Sequence, residues 1–334
     1  MAWLALATIY LVWGSTYLAI RVMVETMPPL LSAGVRFAVA GTAFWLVLRL
    51  VKGAAAVRAT RAQIGGTAIT GILLCFGGNG LVTVAEQEVP SGLAALVIGS
   101  VPLWVVVLRS LHGDRVPGRT LAGVLLGFAG LALLVLPGDR PEDAPLWGLL
   151  LLIAAAVSWA SGSFYAKKLP LPDDLLVWTA WQMLLGGAAM VAVGLVAGEA
   201  AGLDPAAFSA DSWLAFLYLI VVGSLIAFSA YAWLLRHVPI STVATYAYVN
   251  PVIALFLGWA ILEEEITPAM VAATAAIVLS VWAVVRREGE VEAPPEPATE
   301  RAARTPRFLR PSAGSGDGRA AGRAGPPRTP TPRA

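Results

Sequence analysis

Long apolar stretches separated by short polar clusters make up most of this chain. Each stretch is close to the ~20 residues that a helix needs to cross a lipid bilayer. The stretches are continuous, whereas the strands of a membrane barrel alternate apolar and polar positions over roughly ten residues. The pattern therefore predicts an all-α integral membrane protein with ten transmembrane helices. They lie at about residues 2–20, 30–50, 64–84, 91–110, 118–136, 146–165, 175–197, 213–235, 242–262 and 268–285.

The ten predicted helices form one pattern of five that occurs twice. Because five is odd, a copy that begins on one side of the membrane ends on the other, so the second copy must be inverted. We expect repeat one at residues 1–137, a linker at 138–145 and repeat two at 146–287. Many secondary transporters use inverted repeats to expose one central site to two sides in turn. Matching residues are Trp13 and Trp159, Ser15 and Ser161, Arg36 and Gln182, and Gly41 and Gly187 at an offset of 146, and Pro102 and Pro251 at an offset of 149.

Composition and charge placement agree with a membrane protein. Only 13% of the residues are charged and 58% are hydrophobic, whereas a soluble domain has about 25% charged residues. With the N-terminus inside, only Arg21 and Arg140 among the basic loop residues fall outside. The positive-inside rule therefore places both termini in the cytoplasm. We expect a multi-pass protein of the cell (inner) membrane.

Two further features limit the fold. Residues 288–334 are rich in Pro, Ala, Gly, Glu and Arg and have few large apolar side chains, so we expect a disordered cytoplasmic tail. Cys75 is the single cysteine, which rules out a disulfide within the chain and a cysteine-based zinc site. The first apolar stretch has no basic segment before it and is interpreted as a retained helix.

Arg36 is the strongest candidate for a solute-binding residue. It lies inside the second predicted helix, and a charge within the membrane usually faces a cavity or a partner. A guanidinium group can bind a carboxylate through paired hydrogen bonds. The alternative is that Arg36 extends to the outer headgroups or caps a neighbouring helix. Its counterpart in repeat two is the neutral Gln182, so one cation in this cavity would suit an anionic or zwitterionic solute.

A tryptophan and hydroxyl pattern occurs in both repeats. It consists of Trp13, Ser15 and Tyr17 in the first copy, and of Trp159, Ser161 and Ser163 in the second. Aromatic rings with hydroxyl groups are typical of ligand pockets. Helix packing is the competing interpretation, because small residues let helices approach closely.

Two other groups could line a pathway. Asn79 lies among three glycines, which allow a broken helix or close packing. Tyr246, Tyr248 and Asn250 precede Pro251, which is matched by Pro102 in repeat one. Proline removes a backbone hydrogen bond and kinks a helix, so the two prolines are candidate hinges. A static kink is the alternative.

Glu86 is a candidate for proton coupling, because burial would favour its protonated form. A solvated acid in an outer loop is the more ordinary interpretation. The cluster Glu263–Glu265 occupies an equivalent outer turn, and we expect it to be solvated. The first predicted helix has no acidic residue before Glu25.

Seven short motifs together resemble the EamA family of the drug/metabolite transporter superfamily, and within it one subgroup of exporters. The resemblance implies ten helices in two inverted five-helix repeats, cytoplasmic termini and export of small metabolites or drugs. The motifs are YLVWGSTY at 10–17, PPLL at 28–31, AGVRF at 33–37, GNG at 78–80, VTVAE at 82–86, VPSG at 89–92 and YAYVNP at 246–251.

The sequence therefore predicts a secondary transporter that exports small organic solutes, such as metabolites, amino acids or drugs. A facilitative uptake carrier and a non-transporting receptor or scaffold are the alternatives. No G-x-x-x-x-G-K-[ST] motif is present, so direct use of ATP is not expected, and no enzyme motif or cofactor site is evident. The expected partners are a small-molecule solute and the lipid bilayer, not nucleic acid. The G-x-x-x-G pairs at 123/127 and 194/198 would allow a homodimer without establishing one.

Overall fold

Helices make up most of the computed structural model, which describes residues 1–135, 144–238, 240–243 and 245–292. Every predicted apolar stretch overlaps one of these helices, and the described residues contain no strand. The helices are α1 (Ala2–Met23), α2 (Pro29–Lys52), α3 (Arg61–Ala85), α4 (Ser91–Leu111), α5 (Gly118–Val135), α6 (Leu146–Ala166), α7 (Leu175–Val196), α8 (Ala210–His237), α9 (Tyr246–Leu262) and α10 (Pro268–Glu292).

Seven of these helices are long and apolar enough to cross a membrane: α1, α2, α3, α4, α6, α7 and α8. The remaining three contain shorter apolar segments, Thr120–Val135, Tyr246–Leu262 and Pro268–Ala283. Large apolar side chains such as Leu50, Leu125 and Val196 are exposed on the helix surfaces, as lipid contact requires. The all-helical membrane fold is therefore confirmed, and the ten-span inverted arrangement stays a prediction.

The ends of α2 and α7 show that these two helices run antiparallel. At one end, Lys52 forms an ion pair with Asp174, the N-cap residue of α7. At the other end, the carboxylate of Glu199 accepts hydrogen bonds from the backbone N–H groups of Leu30 (3.1 Å) and Leu31 (2.8 Å). We call the end that holds Lys52 and Asp174 the basic end. The opposite end, which holds Glu86, Glu199 and Glu264, is called the acidic end.

Glycines bring the backbones of α2 and α7 into direct contact. A methyl carbon added at Gly34 would lie 2.8 Å from the carbonyl oxygen of Gly187, and one at Gly187 would lie 2.7 Å from that of Gly34. A methyl carbon at Gly41 would lie 2.9 Å from the carbonyl oxygen of Ala180. Small residues allow this approach between membrane helices, so the contact between α2 and α7 depends on the absence of side chains there.

Two other helix pairs run antiparallel. Along α4 and α9, Gly92 lies against Leu255 and Gly99 lies against Pro251. Along α5 and α10, the Ser280 hydroxyl donates to the carbonyl oxygen of Gly123, and further along α5 a methyl carbon added at Gly130 would lie 3.2 Å from the carbonyl oxygen of Ala273. The second, fourth and fifth helices of the two predicted repeats are thus paired with each other.

Three helices depart from regular α-helical geometry. Hydrogen bonding widens to the π-helical pattern over Gly71–Gly80 in α3 and over Leu219–Ile226 in α8. The two π segments begin 148 positions apart, close to the offset of the sequence repeat. In α4 the helix stops at Ile98 and restarts at Val101, so Pro102 follows an interruption and does not kink a continuous helix. The Pro251 ring packs against this interruption at Gly99.

Helix α10 continues to Glu292, five residues beyond the predicted start of the tail at 288. Residues 288–292 include strong helix formers such as Glu, which extend the helix past its apolar part. The rest of the predicted tail, from Ala293 onwards, lies outside the described residues, as does most of the predicted linker at 138–145.

We expect Gly187→Ala to lower the free energy of unfolding by about 1–3 kcal/mol, because the new methyl group meets backbone atoms that cannot rotate away. Thermal unfolding in detergent would measure this change. Gly65→Ala is the matched control, since Gly65 is also helical, is exposed and has nothing within 4 Å of an added methyl carbon. Equal melting temperatures for the two variants would contradict the proposed role of the glycine contact.

Asp174 should make the stability of the basic end depend on pH. Burial opposes the shift, but hydrogen bonds from Lys52 and from the Leu176 N–H hold the pKa of this carboxyl below its usual range. A lowered folded-state pKa contributes stability above the unfolded pKa, and this contribution is lost as the pH falls through the folded pKa. Asp174→Asn should therefore lower the melting temperature at pH 7, and the difference should disappear in strong acid. The exposed neighbour provides the control, Asp173→Asn, which should show neither effect.

Candidate functional site

Arg36 lies inside the helix bundle, and its side chain is only 3% exposed. Its Nε donates a hydrogen bond to the Ser224 hydroxyl at 3.3 Å, and its Cζ lies 4.7 Å from the centre of the Phe37 ring. Among the described residues, Nη1 has no hydrogen-bond partner. The alternative that Arg36 extends to the headgroups is wrong, because the guanidinium group stays within the protein.

The π segment of α8 forms the wall that faces Arg36. A methyl carbon added at Gly223 would lie 3.6 Å from Nη2 of Arg36 and 3.2 Å from Cγ2 of Thr16. The Ser224 hydroxyl donates to the carbonyl oxygen of Leu219, five residues earlier, at 2.9 Å. Helices α1, α2 and α8 therefore meet around the guanidinium group, at a glycine that leaves room for it.

Gln182 occupies the corresponding position in repeat two. It is buried, and its Nε2 lies 3.7 Å from Sγ of Cys75, which belongs to the π segment of α3. Cys75 and Ser224 are 149 positions apart, and Arg36 and Gln182 are 146 apart, which are the two offsets of the sequence repeat. Each predicted repeat thus contributes a polar side chain from its second helix to the π segment in the third helix of the other predicted repeat.

Trp13 lies in an aromatic cluster with Phe228, Tyr231 and Tyr246. Its ring centre is 5.4 Å from that of Phe228, 5.2 Å from that of Tyr231 and 5.0 Å from that of Tyr246. The structure therefore brings together two predicted site residues, Trp13 and Tyr246. Phe228 and Tyr231 are not among the predicted site residues, although their spacing of three places them on one helix face.

Trp159 and Asn79 belong to a different contact, between α6 and the π segment of α3. A methyl carbon at Gly78 would lie 2.7 Å from the Trp159 ring, and the Ser158 hydroxyl donates to the carbonyl oxygen of Leu73 at 2.8 Å. Nδ2 of Asn79 donates to the carbonyl oxygen of Leu74 at 3.2 Å. These contacts favour the packing interpretation for this copy of the pattern.

The other predicted residues on α1, α6 and α9 are half-buried or buried. Ser15 shares a 2.6 Å hydrogen bond with the Tyr218 hydroxyl. The amide nitrogen of Asn250, when turned towards them, donates to the carbonyl oxygens of Tyr10 (3.2 Å) and Tyr246 (3.3 Å). Tyr17 and Tyr248 pack against the largest apolar core, and Ser163 is half-buried on α6. Asn250 therefore joins α9 to α1 through backbone groups.

Glu86 is fully buried at the acidic end, with 0% exposure. Neither carboxyl oxygen has a hydrogen-bond partner among the described residues. Nη1 of the nearby Arg21 donates to the backbone carbonyl oxygens of Glu86 and Gln87. The interpretation of Glu86 as a solvated loop acid is therefore wrong.

Two acidic residues cap helices across the predicted repeats, and the sequence analysis missed both roles. Besides the contact of Glu199 with α2, the carboxylate of Glu264 accepts from the backbone N–H groups of Ser91 (2.6 Å) and Gly92 (2.9 Å) at the start of α4. The expectation that the whole Glu263–Glu265 cluster is solvated is wrong for Glu264. Negative side chains are stabilising at helix N-termini, where unpaired N–H groups point outward.

These features define a polytopic α-helical membrane protein with polar and charged side chains inside its bundle. The EamA-like transporter family matches residues 1–136 and again residues 146–286. The chain therefore belongs to the EamA-like transporter family, which confirms the resemblance seen in its motifs.

Relatives and a solved structure agree with this assignment. "Uncharacterized inner membrane transporter YedA" of Escherichia coli (strain K12) is 39% identical over 255 residues, covering 76% of this chain and 80% of that protein. "Probable amino-acid metabolite efflux pump" of the same strain is 26% identical over 277 residues, covering 78% and 86%. A solved crystal structure superposes with a TM-score of 0.59 at 23% identity, over 87% of this chain and 99% of its own. At that identity the likeness concerns the fold alone.

Ser224→Ala should lower the free energy of unfolding by about 1–3 kcal/mol, because it removes the acceptor of a buried charged donor. Thermal unfolding in detergent would measure the loss. Ser229→Ala serves as the control, since Ser229 is exposed and bonds only to its own helix. In a double-mutant cycle, Ser224→Ala should cost less free energy of unfolding when Arg36 has already been replaced by Gln. An unchanged loss in that background would mean that Ser224 acts independently of Arg36.

Proposed function

We propose that this protein is a secondary transporter that exports small organic solutes across the inner membrane by alternating access. The observation that carries the proposal is Arg36, a buried arginine whose Nη1 has no hydrogen-bond partner in the part of the chain that the structure describes. An ionisable residue inside a membrane protein is costly and usually marks a solute or ion path. The named relatives, an inner membrane transporter and a probable amino-acid metabolite efflux pump, support transport and the outward direction.

The helix pairing supports two inverted five-helix repeats, at residues 1–137 and 146–287. In such an arrangement equivalent helices of the two copies run in opposite directions, as α2 and α7, α4 and α9, and α5 and α10 do. The two family matches, at 1–136 and 146–286, support the same division. In this proposal the basic end faces the cytoplasm together with both termini, and the acidic end faces outward.

The solute binds between α2, α7 and the two π segments. Arg36 supplies hydrogen-bond donors and a positive charge, and Gln182 supplies a neutral amide at the corresponding position. A carboxylate would accept charge-assisted hydrogen bonds from the free Nη1, so the site favours anionic or zwitterionic solutes. The other candidate residues line the pathway on either side of this site: Trp13, Ser15, Tyr17, Asn79, Trp159, Ser163, Tyr246, Tyr248 and Asn250.

Contacts at both ends are suited to gating. Towards the basic end, α1 meets α8 and α9 through the aromatic cluster and through a hydrogen bond between the Tyr10 and Thr245 hydroxyls. Towards the acidic end, Glu264 binds the start of α4. The Pro251 ring lies at the interruption of α4 before Pro102, which supports the assignment of both prolines as hinges between these contacts.

Arg36→Gln should reduce the flux of an amino acid about ten- to a hundredfold relative to that of its decarboxylated amine, since a charged hydrogen bond contributes about 1.5–3 kcal/mol. Radiolabelled flux in proteoliposomes measures both solutes. Arg58→Gln is the control, because Arg58 is exposed.

An equal loss of both fluxes in correctly inserted Arg36→Gln would make Arg36 structural. Flux that requires no opposing gradient would instead favour a facilitative carrier. No flux with any solute in folded protein would favour a receptor or scaffold.

A further inference from the structure

A carboxyl group is enclosed at the acidic end without a hydrogen-bond donor. Both oxygens of Glu86 are buried and unpartnered among the described residues. An ionised carboxylate in such a place is very costly, because it loses its hydration and gains no hydrogen bond, whereas the neutral acid loses much less. The closed acidic end therefore favours Glu86 with its proton bound.

The groups that face Glu86 do not offer it a direct ion pair. They are Tyr17 and Arg21 from α1, Arg36 from α2 and Glu264 from the segment after α9. Arg21 uses Nη1 for backbone carbonyl oxygens, and Arg36 uses Nε for Ser224. Glu264 is itself an acid, bound to the start of α4. The two arginines favour ionisation of Glu86 only from a distance, while loss of hydration and Glu264 oppose it.

The contacts that enclose Glu86 join different helices at the acidic end. Arg21 holds α1 to the end of α3, and Glu264 holds the end of α9 to the start of α4. Alternating access requires this end to open, which separates such contacts and lets water reach the carboxyl group. Hydration removes the cost of the charge, so Glu86 can ionise in the open form. Closed and open forms then bind different numbers of protons, and the pH must shift the balance between them.

We propose that Glu86 is a proton-binding site that holds the acidic end closed when it is protonated and favours opening when it is ionised. The inference rests on the proposed transport cycle for its direction, because the acidic end is then the outer one. Low external pH should keep this end closed, and high external pH should favour the open form.

The test compares Glu86→Gln, which imitates the protonated acid, with Glu88→Gln, which changes an exposed acid two residues away. Both carry Val89→Cys, a fully buried position beside Glu86 that becomes accessible when the end opens. Labelling by a membrane-impermeant maleimide is followed from pH 5 to 8, and protein without Val89→Cys gives the background of Cys75. Dividing the labelling rate of the Glu88→Gln protein by that of the Glu86→Gln protein removes the effect of pH on the reactivity of the cysteine thiol.

We expect the Glu88→Gln protein to label faster as the pH rises, relative to Glu86→Gln, by up to about tenfold per pH unit, the limit for one linked proton. Glu264→Gln should raise labelling at every pH, because it weakens the cap on α4, whereas Glu265→Gln at an exposed position should not. Solute flux against pH in Glu86→Gln and Glu88→Gln without the added cysteine gives a second measurement that does not depend on Val89→Cys.

Identical pH profiles of Glu86→Gln and Glu88→Gln in both measurements would overturn the proposal and leave transport standing. Absence of flux from the parent protein with every solute would refute transport instead. The labelling ratio would then still decide whether protonation of Glu86 closes the acidic end.

Discussion

Backbone contact between α2 and α7 is the constraint on which the rest of the bundle depends. The helices touch because Gly34 and Gly187 have no side chains, and an added methyl group at either would meet the other's carbonyl oxygen. Between membrane helices there is little hydrophobic driving force, so close van der Waals contact provides much of the stability. Acidic residues fix the same pair at its ends, where Asp174 binds Lys52 and Glu199 binds the start of α2. The pair is thus held together along its length and at both ends.

This fixed pair positions the polar groups of the candidate site. Arg36 and Gln182 project from α2 and α7 onto the π segments of α8 and α3, where their neighbours are Ser224 and Cys75. A π segment changes the helical register and often occurs at functional sites. Glycine at position 223 also leaves space beside the guanidinium group. The buried guanidinium group therefore has Ser224 as its hydrogen-bond partner in the described part of the chain, while its Nη1 is buried without one.

Helix positions could be predicted from the sequence, whereas the partners of the polar residues could not. The length and hydropathy of an apolar stretch can be read from the local sequence. Each predicted stretch accordingly overlaps a helix in the structure. The position of Arg36 inside the helix bundle could also be predicted, because a charged side chain within a membrane is costly unless it faces the protein interior. Its partner Ser224 lies 188 positions away, and the caps by Glu199 and Glu264 join residues more than 160 positions apart. The sequence leaves both interpretations of Glu86 open, because a buried acid and a solvated acid at the end of an apolar stretch have the same local sequence, and only the packing of α1, α4 and the segment after α9 distinguishes them.

The two predicted repeats share their helix pairing and their π segments, but not their ionisable groups. Arg36 corresponds to the neutral Gln182, and at the offset of 149 that relates Cys75 to Ser224, Glu86 corresponds to Leu235. Arg36 and Glu86 therefore both belong to the predicted repeat one, and their counterparts in the predicted repeat two are neutral. In the proposed transport cycle, inverted repeats would make the two access states similar in energy, because each state would resemble the other inverted. If Glu86 binds a proton as proposed, the neutral counterpart in the second copy would leave only one of these states sensitive to protonation, and a pH difference between the two sides would bias the exchange in one direction.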